Sequence, residues 1–259
     1  MLTFNNDPKK KQARIRRAKR HLANDQLSQG TYMREGSGCS VGCDVFDITG
    51  EQPDQVYCDL HVIVAAHDGV PVWLEHVRDC VFEGLSVQDA RDWHLDLAKA
   101  IPVGMSLGIS FRQFIAWLFK PNGGLLSELI TKAEDRSFKS QVEMTYRLLD
   151  RAHNLSNVSA AELLQAAHTL EKASDRRSKS KAWMCSQQPR QEVLVAASRS
   201  CVLFFGMKTG DVDGLTVQRI IKDVCRAASR GYVEADTETH AIYAKVAKKL
   251  ISLISGPDP

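Results

Sequence analysis

Four side chains stand out for the chemistry that their types and spacing allow: Cys39, Cys43, Cys58 and His61. Two lie in Gly36-Ser37-Gly38-Cys39-Ser40-Val41-Gly42-Cys43 and two in Cys58-Asp59-Leu60-His61. Together they form a C-x3-C pair and a C-x2-H pair separated by fourteen residues. Three thiolates and an imidazole make a tetrahedral zinc site chemically reasonable, and the glycines let the chain turn around an ion. The same residues support thiol catalysis, with Cys39 or Cys43 as nucleophile, His61 as base, and Asp44, Asp59 or Asp68 as an orienting third group. The plain alternative is packing, because buried free cysteine is common and inert. No cofactor other than zinc is expected. Gly104-Met105-Ser106-Leu107-Gly108 fits the G-x-S-x-G spelling. It lacks the preceding strand that a nucleophile elbow needs, since Pro102 sits where that strand would run.

The elements that must position these residues read as helices. Asp7-Pro8 is an N-cap followed by proline at the first helical position, and Gly30 is a stop, so 8–29 is expected to be one helix with Ile15, Ala18 and Leu22 on its apolar stripe. From 31 to 69 the periodicity disappears, leaving an irregular glycine-cysteine segment and a short apolar run, 60–66, that reads as strand or helix. Gly69-Val70-Pro71 opens a helix that Gly84 ends, and helices follow over about 86–100, with Ser86 as its cap, and 110–119. Pro121-Asn122-Gly123-Gly124 is the clearest punctuation, and every later segment reads helical: 124–131, 135–152, 159–174, 190–205, 214–230 and 237–254. The stretch 172–181 is dense in charge. Alanine pairs at 160–161, 166–167, 196–197 and 227–228 favour close helix packing without a strict repeat. The expected fold is mainly α. A basic helix (1–30) leads into a helical domain with the irregular Gly/Cys insert (31–122), and then a C-terminal helical array (123–259).

Charge is distributed unevenly over the 259 residues. Lys9, Lys10, Lys11, Arg14, Arg16, Arg17, Lys19 and Arg20 face one acid, Asp7, within residues 1–20, for a net +7. The rest carries 26 basic and 30 acidic side chains, a net −4, so a mildly acidic body bears one basic helix. Those eight cations are the candidate nucleic-acid contacts, the alternative being a solvated face. No aromatic residue is interleaved with them, which argues against base stacking there. Ordinary hydrophobic (44%) and charged (25%) fractions exclude collagen-like and fully disordered chains, and no apolar run reaches the roughly 18 residues of a membrane span. Seven scattered cysteines and the lack of a secretory pattern at the start lead us to expect reduced thiols and a cytoplasmic protein without a membrane partner.

Several motifs occur in one order: Asp25-Gln26-Leu27, Gln29-Gly30-Thr31-Tyr32, Gly36-x-Gly38-Cys39-x-Val41-Gly42-Cys43, His61 eight residues before Gly69-Val70-Pro71, Phe82-Glu83-Gly84-Leu85, and Ala100-Ile101-Pro102-Val103-Gly104. This set resembles a family of uncharacterised bacteriophage, prophage and other mobile-element proteins, over most of 22–120 and the final helix. The resemblance implies a helical C-terminal half rich in alanine and serine, a bacterial host cell, and no particular activity. Cys58 stands where the family has no cysteine, which reduces its common set to Cys39, Cys43 and His61. On this reading the first expectation is a non-enzymatic accessory protein that binds a host or defence protein, or nucleic acid through the basic helix, with a counter-defence role in view. The competing expectation is a cysteine- or metal-dependent enzyme centred on Cys39, Cys43 and His61. A scaffold that self-associates through its helical tail is the third.

Overall fold

A computed structural model describes residues 1–56, 58–178, 184–209, 213–229 and 235–256. The chain is mainly helical, as the periodicity predicts, and no strand occurs among the described residues. Among the described residues, twelve α-helices run in order: α1 (Pro8–Ala23), α2 (Ser40–Thr49), α3 (Leu60–Asp68), α4 (Val72–Gly84), α5 (Val87–Ala100), α6 (Gly108–Leu118), α7 (Ser127–Lys132), α8 (Arg136–Arg151), α9 (Ala160–Ser178), α10 (Met184–Thr209), α11 (Gly214–Ser229) and α12 (Ala235–Ile254). The chain divides into two compact units, Met1–Leu107 with Val246–Pro259, and Gly108–Lys245. The division falls after Leu107, ahead of the Pro121–Gly124 turn, and the last turns of α12 belong to the first unit.

In the first unit, helix starts follow local chemistry. The Asp7 carboxylate accepts from Lys9 N, with Pro8 at the first helical position, and Asp59 accepts from His61 N at the head of α3. Ser86 and Asp89 cap α5. The apolar run 60–66 is helical because an aspartate caps it and Gly69 closes it in the left-handed conformation, at φ 73°. Helix α1 ends at Ala23, six residues short of the expected end at residue 29. Beyond it the chain leaves helical geometry so that 26–28 pair with Gly38: Gly38 N donates to Gln26 O, and Ser28 N to Gly38 O, both at 2.8 Å.

The glycine-cysteine segment is more regular than its composition predicts. Only its first part is a turn, because Cys39 caps α2 and its sulfur accepts from Gly42 N at 3.4 Å. Gly38 and Gly42 are required by a close approach. A Cβ at Gly38 would sit 1.9 Å, and at Gly42 1.6 Å, from the carbonyl oxygen of Tyr32, which passes directly against the start of α2. Helix α4 is central. Trp73, Leu74, Val77, Cys80, Val81 and Phe82 are buried, and so are the polar Glu75, His76, Arg78 and Asp79, so the helix has no solvent face over 73–82.

In the second unit α10 packs against α9 and α11. Ala167, Ala196, Ala197 and Ala227 are buried, and Ser198 Oγ donates to Ala167 O at 3.0 Å, so small residues do let these helices approach closely. Phe138 of α8 and Leu163, Leu170, Leu194, Phe204, Ile220 and Val224 of these three helices are buried in the core of this unit. The charge-dense stretch is helical to Ser178, and its last residues lie outside the described ones.

Candidate functional site

The basic helix turns two of its eight cations inward. Arg14 and Arg17 on α1 are buried. Arg14 reaches Asp68 Oδ2 (3.0 Å) and Glu75 Oε1 (2.7 Å), while Arg17 reaches Asp44 Oδ1 (2.5 Å) and Asp68 Oδ2 (2.7 Å). Arg78 on α4 completes the set, donating to Asp44 Oδ2 and pairing with Glu75 Oε2. Three guanidinium groups thus meet three carboxylates from α1, α2, α3 and α4 in a balanced internal network. Burial alone would raise the Asp44 carboxyl, but Arg17 and Arg78 outweigh it and hold the group well below its ordinary value. The same opposition, won by Arg14 and Arg17, lowers Asp68. Next to this network His21 Nε2 meets Asp47 Oδ2 at 2.7 Å, and His21 Nδ1 lies 3.1 Å from His94 Nε2. Arg20 pairs with Asp47 at the surface, and Lys10 Nζ donates to His67 O. Lys9, Arg16 and Lys19 remain on the exposed face, and Lys11 is half-buried.

A second cluster surrounds His61, at the start of α3. His61 Nδ1 lies 2.8 Å from Asp59 Oδ1, and its Nε2 lies 3.4 Å from Asp79 Oδ2 on α4. His76, one turn before Asp79, stacks on His61 with ring centroids 3.9 Å apart, and its Nε2 is 3.2 Å from Asp59 Oδ2. Asp59 is half open to solvent, whereas His61, His76 and Asp79 are buried. Cys39 Sγ lies within 4.8 Å of an Asp79 carboxylate oxygen. The exposed Tyr32 stands edge-on to His61, 6.5 Å away, held there by the Gly38 and Gly42 approach. Among the described residues, ligand-type atoms fall into three groups, each mutually within 4.8 Å: the fully buried His21, Asp44 and His94 beside the arginine network, and, in this cluster, Asp59, His61 and His76, and Cys39, Asp79 and Glu83.

Electrostatics sharpen the roles. Burial would lower the His61 ring, but its bonds to Asp79 and Asp59 prevail and raise it. Burial and the neighbouring His61 both lower His76. Burial, reinforced by Asp79, raises the Cys39 thiol well above its ordinary value. Burial likewise pushes Cys43 to about 12 and Tyr32 to about 12. Neither of the expected nucleophiles is therefore an activated thiolate in this arrangement.

Of the four residues singled out for metal binding, Cys39 and His61 meet at Asp79, whereas Cys43 and Cys58 do not join them. Cys43 Sγ donates to the carbonyls of Gln26 and Gly38, and Cys58 is exposed at the surface. Asp59 is the orienting group for His61, while Asp44 and Asp68 belong to the arginine network. His76, Asp79 and Glu83 were not read from the sequence. Their spacing on α4, at i, i+3 and i+7, is the signal that puts them on one helix face. In the second unit a groove of about 680 Å³ between α8 and α9 is lined by Met144, Leu148 and Ala166. Its charged residues pair with each other, Arg147 with Glu143 and Arg151 with Glu162. No protein-family model, curated protein or solved structure matches this chain.

Proposed function

We propose that the first unit is the metal-binding body of an enzyme of hydrolytic type, with a divalent transition ion held by Asp59, His61 and His76. On the resemblance read from its motifs, the chain is of phage or mobile-element origin. The observation that carries the proposal is the convergence of two imidazoles and one carboxylate within 4.8 Å, with the carboxylate half open to solvent. Two nitrogens and an oxygen with an open side are the donor set of a catalytic rather than a closed structural site. The surroundings fit a ligating histidine. With Nδ1 turned to the ion, His61 gives its Nε2–H to Asp79, the carboxylate–histidine pattern that fixes a ligand's tautomer and orientation. Charge fits as well. Asp59, Asp79 and Glu83 outnumber the cations beside them, because Arg78 is already matched by Asp44 and Glu75. A bound divalent ion supplies Lewis acidity and a water that ionises near neutral pH.

Metal content of the purified protein tests this reading. About one equivalent of a zinc-class ion is expected at this site, and it should be lost in Asp59→Asn, which keeps an N-cap for α3. A full complement of metal in both Asp59→Asn and His76→Gln would overturn it. The second reading, a partner surface for nucleic acid or a protein, draws on Lys9, Arg16 and Lys19, which α1 leaves on its exposed face. Binding through them would weaken steeply with salt.

A further inference from the structure

We propose that Cys39, Asp79 and Glu83 hold a divalent ion of their own, of the thiophilic zinc–cobalt class, beside the ion assigned to Asp59, His61 and His76. The proposal rests on that reading for its place next to a catalytic centre, but its donors are separate.

Three elements of the fold bring these donors together. Cys39 is fixed as the cap of α2 by the Gly42 N–H, and the chain before it is locked by the bond from Cys39 N to Thr31 O. Asp79 and Glu83 lie one turn apart on the same face of α4, and Gly30 N donates to Glu83 Oε2 at 2.8 Å, anchoring the loop that carries Tyr32 over the cluster. The sulfur and one oxygen from each carboxylate lie within 4.8 Å of one another.

The second observation is an orphaned atom. Asp79 is 5% exposed, and its Oδ2 faces His61, yet its Oδ1 is buried without a hydrogen-bond partner. Leaving a buried carboxylate oxygen unpaired costs free energy, and a cation is the partner that satisfies it. Binding would displace the Cys39 thiol proton, because only the thiolate ligates. A thiolate beside two carboxylates selects zinc or cobalt over magnesium or calcium, which prefer oxygen donors alone. Cys43 cannot substitute, since its sulfur is engaged by two backbone carbonyls.

The experiment uses the full chain with Cys58→Ser, which removes the exposed thiol, stripped of metal and titrated with Co²⁺. Binding is followed by equilibrium dialysis and by the near-ultraviolet thiolate-to-cobalt charge-transfer band. Two equivalents are expected, one of them accompanied by the band. Cys39→Ser should lose the band and one equivalent, with the helical signal and melting transition retained because serine caps α2 equally well. Glu83→Gln should weaken the same equivalent. His76→Gln should lose the other equivalent and keep the band, and Cys43→Ser should change neither. One equivalent without the band, undiminished in Cys39→Ser, overturns this site and leaves the first standing. One equivalent with the band, lost in Cys39→Ser and indifferent to His76→Gln, supports this site and overturns the first. No Co²⁺ bound overturns both.

Discussion

Gly38 and Gly42 show how a single missing methyl group can place a cluster of polar side chains. The Tyr32 carbonyl occupies the space where their Cβ atoms would be, so Cys39, the loop over His61 and the start of α2 are registered by one close backbone approach. Gly42→Ala must push backbone against backbone, with no flexible side chain to give way. Thermal or urea unfolding should therefore show a loss of about 3 kcal/mol, the upper end of overpacking costs. Gly36→Ala is a contrast within the same motif. Nothing lies near its added methyl, but its φ is +85°, so the loss should be about 1–2 kcal/mol, the cost of a left-handed alanine. Equal effects at the two positions would contradict this account of the motif. Buried Arg17 makes a second residue-level case. Arg17→Met leaves Asp44 and Asp68 short of a partner in the interior, and about 3–5 kcal/mol of stability should disappear. A near-neutral effect in urea unfolding would show that the network relaxes without it.

At the scale of elements, α1 illustrates what composition conceals. Its eight neighbouring cations read as one basic surface, whereas the structure divides them by helical phase: Arg14 and Arg17, three apart, face carboxylates, and Lys9, Arg16 and Lys19 face solvent. Sequence spacing shows which residues share a face, but not that the face meets Asp44, Asp68 and Glu75 from three other helices. Reversing Lys9, Arg16 and Lys19 to glutamate should consequently shift stability by no more than about 0.5 kcal/mol per site. A large loss on melting would mean these side chains are not on a free face. The helices of the second half were legible because capping residues and 3.6-residue periodicity agree there, as at Asp135, which accepts from Phe138 N. Helix α2 was obscured, since glycines are weak helix formers and a cysteine is a rare cap. The site was half legible. Cys39, His61 and Asp59 stand out by type and proximity, whereas His76, Asp79 and Glu83 are hidden in an apolar helix whose polar stripe acquires meaning only when α3 lies against it.

For the whole molecule, the balanced interior charges give stability a definite pH dependence. Burial keeps the His94 ring neutral, assisted by Arg78, His21 and Arg14 and opposed by Asp44. In the unfolded chain that ring takes a proton below its ordinary 6.5, so the unfolded state binds more protons and stability falls as pH drops from there, by up to about 1.4 kcal/mol per pH unit. Asp44, facing Arg17, Arg78, His21 and His94, and Asp68, facing Arg14, Arg17, His67 and Asp44, add a second phase. Their stabilisation is complete above the ordinary 3.8 and is lost as pH falls through their lower folded values. Urea midpoints should therefore decline below about pH 6.5 and steepen below pH 4, and a flat profile between pH 7 and 5 would contradict a neutral buried His94. No described helix is long and apolar enough to cross a membrane. The central claim, that the first unit is built around a metal centre, is tested most directly by metal analysis of the purified, dialysed full chain beside its Asp59→Asn variant. The account predicts bound zinc-class metal in the parent and about one equivalent less in the variant. A parent without metal that also takes up none on addition of Zn²⁺ would contradict it.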